Sequence, residues 1–291
     1  MKDRTKYLGG TDAAPAVGLS KWKPAYELYL EKTGQLAPAL PEDPERLEWG
    51  QELEEAIGRV YARRTGRKIR RRGHEDGVVH KKHPFLVAHP DYVVVGERRG
   101  LDSKNVGGIY FANSDEWGEP GSDNVPTEYF LQAQAYMNVL EYDAWDIAAL
   151  VGGNRLAIFT VMRDEAVIRD LEAGMVEFWG MVQAKTPPPL DYDHPKTLDI
   201  LQRQHREVGT TILQASADLV PWCAVLEQAK EKVGEYAKVV DGAKARILEA
   251  MGGAGVLMLP EGSSYVRKVV SKKAYTVEAQ SYVELRRKAS K

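Results

Sequence analysis

The sequence predicts an α/β protein: a central mixed sheet flanked by helices, then a C-terminal helical hairpin and a small β extension. Three observations carry this. Residues 88–105 hold a β-rich stretch, a charged turn and a second extended stretch, which is the pattern of a hairpin. Residues 145–151 and 156–161 are two apolar runs joined by Gly152-Gly153-Asn154, the first apolar enough for a buried central strand. Amphipathic helical patterns flank both pairs. Thr186-Pro187-Pro188-Pro189-Leu190 is a stiff stop after which the pattern changes, so domains are expected at 1–190 and 191–291.

At 291 residues, one large domain with an extension, or two domains, is expected; 43% hydrophobic and 28% charged residues suit a packed core with a solvated surface. The single cysteine, Cys223, excludes an internal disulfide framework and a Cys-based zinc site, as expected of a reducing cytoplasm. The opening residues 1–7 have no apolar signal core, and no apolar run approaches membrane-spanning length, so no membrane association is expected. The net charge of −2 conceals segregation. Residues 61–82 carry nine Lys/Arg against two acids, whereas residues 42–55 carry seven acids and one Arg. Acids beside a basic stripe suit a metal site that engages a phosphate backbone, and equally an ordinary solvated surface.

In chain order, Thr11 or Asp12 can cap a short helix running to Val17, and Pro24 opens a second helix that Gly34 closes. Residues 46–64 place Leu47, Leu53, Ile57, Val60 and Tyr61 at helical spacing, with Glu54 one residue off that stripe. A strand is expected near 68–72. The polar stretch 112–127 is long for a compact domain and is expected to be a mobile flap. Residues 127–140 form a helix with Gln132 and Tyr136 on one face. A further helix occupies 164–184. Beyond the proline stop, helical patterns at 197–219 and 222–251 flank Pro221, the second with a near-continuous apolar stripe, and short strands are expected at 256–259, 264–270 and 274–278. The last residues, 265–291, hold eight Lys/Arg against two acids, which suits contact with nucleic acid or a partner and equally an exposed tail without a dedicated role.

The hairpin carries the chemistry. Asp102 and Lys104 lie two apart on a strand and so share a face, and a hairpin brings Asp91 towards it. Two carboxylates and an ammonium converging on one place suit a divalent metal and a phosphate. The plainer alternative is a turn-capping Asp followed by a solvated strand face.

The order Gly9-Gly10-Thr11-Asp12-Ala13-Ala14, Trp22-Lys23, Tyr26-Glu27-Leu28, Trp49-Gly50 to Glu54, His89-Pro90-Asp91, Asp102-x-Lys104, Gln132-x-Gln134 to Tyr136-Met137 and Phe178-Trp179 resembles the YqaJ-type viral recombinases. These are lambda exonuclease-like phage nucleases of the PD-(D/E)xK superfamily, and the resemblance covers roughly residues 4–190. It implies the restriction-endonuclease-like core of that superfamily. It also implies a metal-dependent nuclease on linear double-stranded DNA, favoured as a 5′→3′ exonuclease that leaves 3′ single strands for recombination. An endonuclease or nickase of the same fold, and a non-catalytic DNA-end-binding module, are the alternatives.

By the same resemblance, Asp91, Asp102, Glu54 and the carbonyl of Ser103 would hold Mg²⁺ or Mn²⁺, two ions per site, and Lys104 would position or activate the attacking water. Whether that lysine works charged or neutral is open in the sequence. Arg4 and Thr11 would cradle a terminal 5′ phosphate, and His89, Gln132 and Tyr136 would contact DNA. The motif departs from the commoner Glu-x-Lys, since Asp102 is one methylene shorter. A homotrimer and a single-strand annealing partner complete what the resemblance implies, in the cytoplasm of a bacterial host.

Overall fold

The computed structural model describes residues 3–38, 43–72, 77–207, 209–271 and 287. By internal contacts the chain divides into two compact units, Met1–Arg206 and Glu207–Lys291.

In the first unit, a 3₁₀ turn at Gly10–Asp12 runs into the short helix α1 (Ala13–Ala16). Asp12 reaches back so that its Oδ2 accepts from the Gly9 amide at 2.9 Å. Helix α2 (Ala25–Lys32) starts after Pro24, whose ring fixes φ as a helix start needs. Helix α3 (Pro44–Thr65) is capped by Asp43, which accepts from the Arg46 amide, and ends at Gly66 with φ +72°, a left-handed conformation that glycine adopts without strain. The strands follow: β1 (Ile69–Arg71), β2 (Val78–Val79), β3 (Val87–Ala88), β4 (Tyr92–Val94) and β5 (Arg99–Val106). Helices α4 (Gly108–Asn113) and α5 (Thr127–Leu140) precede β6 (Ala144–Val151) and β7 (Arg155–Met162). Helix α6 (Glu165–Ala184) is capped by Asp164, and α7 (Thr197–Gln204) closes the unit.

The main sheet has the order β1-β4-β5-β6-β7 and is mixed: β5 and β6 are parallel, the other pairs antiparallel. Parallel neighbours need a crossover, and residues 107–143 supply it through α4 and α5. The central strand is therefore the second arm of the hairpin. Its alternation divides the unit into two layers. Leu101 packs with Ile57 and Tyr61 of α3 on one face, while Val106 packs with residues of α1, α5 and α6 on the other. Trp145 and Ile147 of β6 join the second layer, Ala148 the first. Gly100 opposes Trp145 across the β5–β6 pair, and a Cβ there would stand 2.1 Å from the indole ring.

Two expectations for this unit are corrected. The stretch read as a mobile flap is anchored: Trp117 is buried with its ring 5.0 Å from Phe159, and the Gly121 and Thr160 amides bond Ile158 O and Ser122 O. An aromatic side chain in a polar segment has found the core. The boundary expected at 190 lies between Arg206 and Glu207 instead. Ile200 of α7 is fully buried, and Arg203 bonds Glu27 at 2.8 Å, so the segment after the prolines packs back onto α2.

The second unit is built on one long helix, α8 (Leu219–Met251), followed by the antiparallel pair β8 (Val256–Met258) and β9 (Ser264–Val266). The expected helical hairpin is absent from the described residues. The pattern at 197–219 is helical only to Gln204, because Gly209-Thr210-Thr211 are weak helix formers. Pro221 lies inside α8, in its first turn, where an amide donor has no intrahelical partner to lose. The strand expected at 274–278 lies outside the described residues.

Gly100→Ala forces the Trp145 ring out of the second layer. We expect a loss of roughly 1–3 kcal/mol in urea unfolding, the usual cost of overpacking; a change within a few tenths would mean the ring has room to move.

Candidate active site

The hairpin places its two carboxylates as the strand period requires. Tyr92 pairs with Leu101, and the Oδ2 of Asp91, one residue earlier, accepts from the Ser103 amide at 2.7 Å. Asp102 is 3% exposed. Its Oδ2 receives the Lys104 ammonium at 3.3 Å, and its Oδ1 has no hydrogen-bond partner. Lys104 and Asp102 therefore share the face that looks towards α5. That helix presents Gln132, whose Oε1 accepts from Lys104 at 3.2 Å and whose Nε2 donates to the Tyr136 hydroxyl at 3.3 Å. The ammonium also stands 5.0 Å from the centre of the Tyr129 ring, a cation–π distance. Tyr129, Gln132 and Tyr136 are spaced three and four apart on one helical face.

Electrostatics follow from burial and proximity. Burial and the neighbouring Asp102 charge push the Asp91 carboxyl up to about 7, against the opposing pull of Lys104 and the Ser103 amide. Burial works to discharge Lys104, but Asp102 and Asp91 outweigh it and raise its pKa, so it is an ammonium at neutral pH. Burial, with the Asp102 charge adding to it, likewise raises the Tyr136 hydroxyl.

The remaining candidates sit around this centre. Glu54, on α3, is buried; its Oε1 accepts from Arg71 Nε at 3.2 Å, and its backbone carbonyl accepts from the Tyr92 hydroxyl at 3.3 Å. Its charge is among those that raise Asp91. Arg4 and Thr11 meet at the surface through a 3.3 Å bond from the guanidinium to Oγ1. A link to the centre exists next door to Thr11: a Cβ on Gly10 would lie 2.3 Å from the Tyr136 ring. His89 is half-buried, 5.4 Å from the Tyr7 ring. Arg71 as the partner of Glu54 was not legible in the sequence, since that pairing joins α3 to β1. Tyr129 was findable, as it precedes Gln132 by three residues on the same face.

Among the described residues, no three His, Cys, Asp or Glu side chains converge into a ready metal cluster. The expectation that Glu54 completes a carboxylate shell meets Arg71 in that place. The pair Asp91 and Asp102 nonetheless suits a divalent cation. A buried carboxylate oxygen without a partner, beside a second carboxylate whose proton is held by burial and the neighbouring charge, is the setting that hard-cation binding relieves.

With this geometry in place, comparison with known proteins shows what the chain is similar to. Residues 1–143 match the model of the YqaJ-like viral recombinase domain. This part of the chain is similar to that domain. The match spans Arg4 to Tyr136 and so includes every site residue named above. Protein YqaJ of Bacillus subtilis (strain 168) is 33% identical over 192 residues, covering 65% of this chain and 57% of that protein. The chain thus spans under two thirds of that relative's length. The crystal structure of an alkaline exonuclease, LHK-Exo, from Laribacter hongkongensis superposes with a TM-score of 0.52 at 19% identity, covering 63% of this chain and 91% of that one. A phage related exonuclease from Haemophilus somnus 129PT gives 0.46 at 12% identity, covering 62% and 96%. At these identities the likeness to LHK-Exo is one of fold: the YqaJ-like domain belongs to a mixed sheet flanked by helices, as in that exonuclease.

The raised Asp91 pKa gives a stability test with a definite sign. The folded value, about 7, exceeds the usual carboxylate value of 3.8, so ionising Asp91 costs stability progressively as pH climbs from about 4 to about 7 and by a constant amount above. In EDTA, the Tm of Asp91→Asn minus that of the parent should increase from pH 5 to pH 8. Adding Mg²⁺ should raise the parent's Tm more at pH 8 than at pH 5. Equal shifts at both pH values would remove Asp91 as a cation ligand.

Proposed function

We propose that the Met1–Arg206 unit is a divalent-metal-dependent deoxyribonuclease acting on linear double-stranded DNA. The preferred mode is 5′→3′ exonucleolytic, leaving a 3′ single strand for recombination. The observation that carries this reading is the cluster of Asp91, just before β4, with Asp102 and Lys104 on β5, with an orphaned Asp102 oxygen and a charged lysine. Its place in a YqaJ-like viral recombinase domain with the fold of an alkaline exonuclease supports it.

A cation held by Asp91, Asp102 and the Ser103 carbonyl would supply Lewis acidity and acidify a bound water. Mg²⁺ or Mn²⁺ suits an all-oxygen donor set. A two-ion version would draw Glu54 into the ligand set at the expense of its bond to Arg71. The chain's own residues do the rest. Lys104, being charged, serves to stabilise negative charge building on the phosphate rather than to take a proton from water. Gln132 fixes the direction of that ammonium by accepting from it, and Tyr129 walls it from below. Because the Tyr136 oxygen accepts from Gln132, its own proton remains for donation to a phosphate oxygen. Arg4 and Thr11, exposed and hydrogen-bonded to each other, offer a guanidinium and a hydroxyl for a terminal 5′ phosphate. His89 is assigned to the DNA path beside Tyr7.

A homotrimer encircling the duplex and a single-strand annealing protein that receives the 3′ strand belong to the same reading, and rest on the family resemblance. Among the described residues no helix is long and apolar enough to cross a membrane, and the reading places the protein in the cytoplasm of a bacterial host.

The test uses linear duplex labelled at its ends, with a 5′ phosphate or a 5′ hydroxyl, and closed circular plasmid, each with Mg²⁺ or EDTA. Loss of label from the 5′-phosphorylated linear duplex alone, abolished by EDTA, is the expected result; cutting of the circle moves the assignment to an endonuclease. Lys104→Ala and Asp102→Asn should each lower the rate at saturating DNA by about 10²–10³-fold while leaving the gel-shift affinity within a few fold. DNA binding without hydrolysis in the parent would mark an end-binding module instead.

A further inference from the structure

Helix α8 carries an apolar seam that is exposed along most of its length. From Leu219 to Ala250 its apolar side chains alternate at spacings of three and four without a break. One row is Leu219, Leu226, Val233, Val240 and Ile247, aliphatic throughout. The other alternates aromatic residues with alanines and includes Trp222 and Tyr236. Trp222 and Val233 are 69% exposed and Tyr236 is 70% exposed. A repeat of 3.5 residues is the period at which one helix keeps a seam against a second helix. At the first unit's helices the same kind of stripe is buried; here it is exposed from Leu219 to Val240 and half-buried at Ile247.

Charge on the flanks says what kind of helix fits. In a coiled-coil frame, the positions bordering this seam hold Lys230, Lys232, Lys244 and Arg246, and no acid. The acids of α8, Glu227, Glu231, Glu235, Asp241 and Glu249, lie on the far side, where Glu227 reaches Lys230 at 3.3 Å. A second copy of α8 would therefore bring only further cations or apolar groups to the borders, and no carboxylate for any of the four. A partner helix with Glu or Asp at its own border positions pairs with all of them. The helix as a whole has five Lys/Arg (Lys238 with the four above) against five acids, so it has no net charge to draw it to DNA or to an anionic membrane.

We propose that α8 is a docking helix for another protein, and that its occupant is an amphipathic helix with apolar residues at three-and-four spacing bordered by acids. This inference rests on the second unit alone and does not depend on the nuclease reading. Alternating borders of cation and small or aliphatic residue set which register of such a partner is favoured.

The experiment titrates the full chain into fluorescently labelled synthetic helical peptides and reads anisotropy. Three probes share Leu and Ala at the seam: one has Glu at every border position, one has Lys there, and one is a scramble of the Glu peptide. The Glu-bordered peptide should bind at least about tenfold tighter than the Lys-bordered one, about 1.4 kcal/mol, and the scramble should not bind. Replacing Lys230, Lys232, Lys244 and Arg246 together by Glu should invert the preference while circular dichroism stays unchanged, a result that a misfolded variant cannot give. Val233→Asp should abolish binding of the Glu peptide. Equal affinity for the two bordered peptides, or no binding of either, overturns the proposal. So does self-association of the full chain that Val233→Asp removes, or α8-dependent binding to phosphatidylserine vesicles.

Discussion

A lysine ammonium held in the interior beside two carboxylates sets the terms for the first unit. Lys104 cannot be carried on an edge strand and still be desolvated, so β5 has to lie between β4 and β6, with a helix roofing its polar face. A charge removed from water must be paired and hydrogen-bonded, and α5 meets that demand with Gln132. Gln132 in turn has to be oriented, which brings in Tyr136; the Tyr136 ring needs the space that Gly10 leaves open. The amino-terminal turn, the crossover helix and the central strand thus share one chain of contacts.

A second buried acid shows by contrast why the first pair is the candidate site. Asp146, on β6, is fully buried and saturated: its Oδ1 accepts from Arg99 at 2.5 Å and Thr160 at 2.8 Å, its Oδ2 from Tyr61 at 2.5 Å. Tyr61, buried beside it, has its hydroxyl pKa raised as a result. Nothing is left for a ligand to satisfy, and the group serves to tie α3 to the sheet. Asp102 is almost as buried and has one oxygen without a partner. Two carboxylates in one sheet, with similar burial, differ in whether their lone pairs are used up.

Periodicity carried much of this into view. The helix at 127–140, the strand pair around Gly152-Gly153 and the capped helix after Asp164 follow from patterns local to each segment, and so does the shared face of Asp102 and Lys104. What the sequence withheld is contact between segments far apart in it. Arg71 finds Glu54 only because β1 lies at the sheet edge under α3, and Trp117 reaches the core only because its loop folds back on β7. The helix at 197–204 looked like half of a hairpin because its apolar residues suit any packed surface; it buries Ile200 against the first unit instead.

The parallel pairing of β5 with β6 also fixes an order of events. Every candidate catalytic residue lies before Asp143, yet the strand carrying two of them is flanked on one side only until residues 144–151 have left the ribosome and crossed over α5. Non-local pairing of this kind is slow to form, because the loop must close before any contact rewards it. A nascent chain therefore leaves β5 without its second neighbour until residues beyond 143 have followed. The matched residues 1–143 stop one residue short of β6, the strand that encloses β5 on its second side.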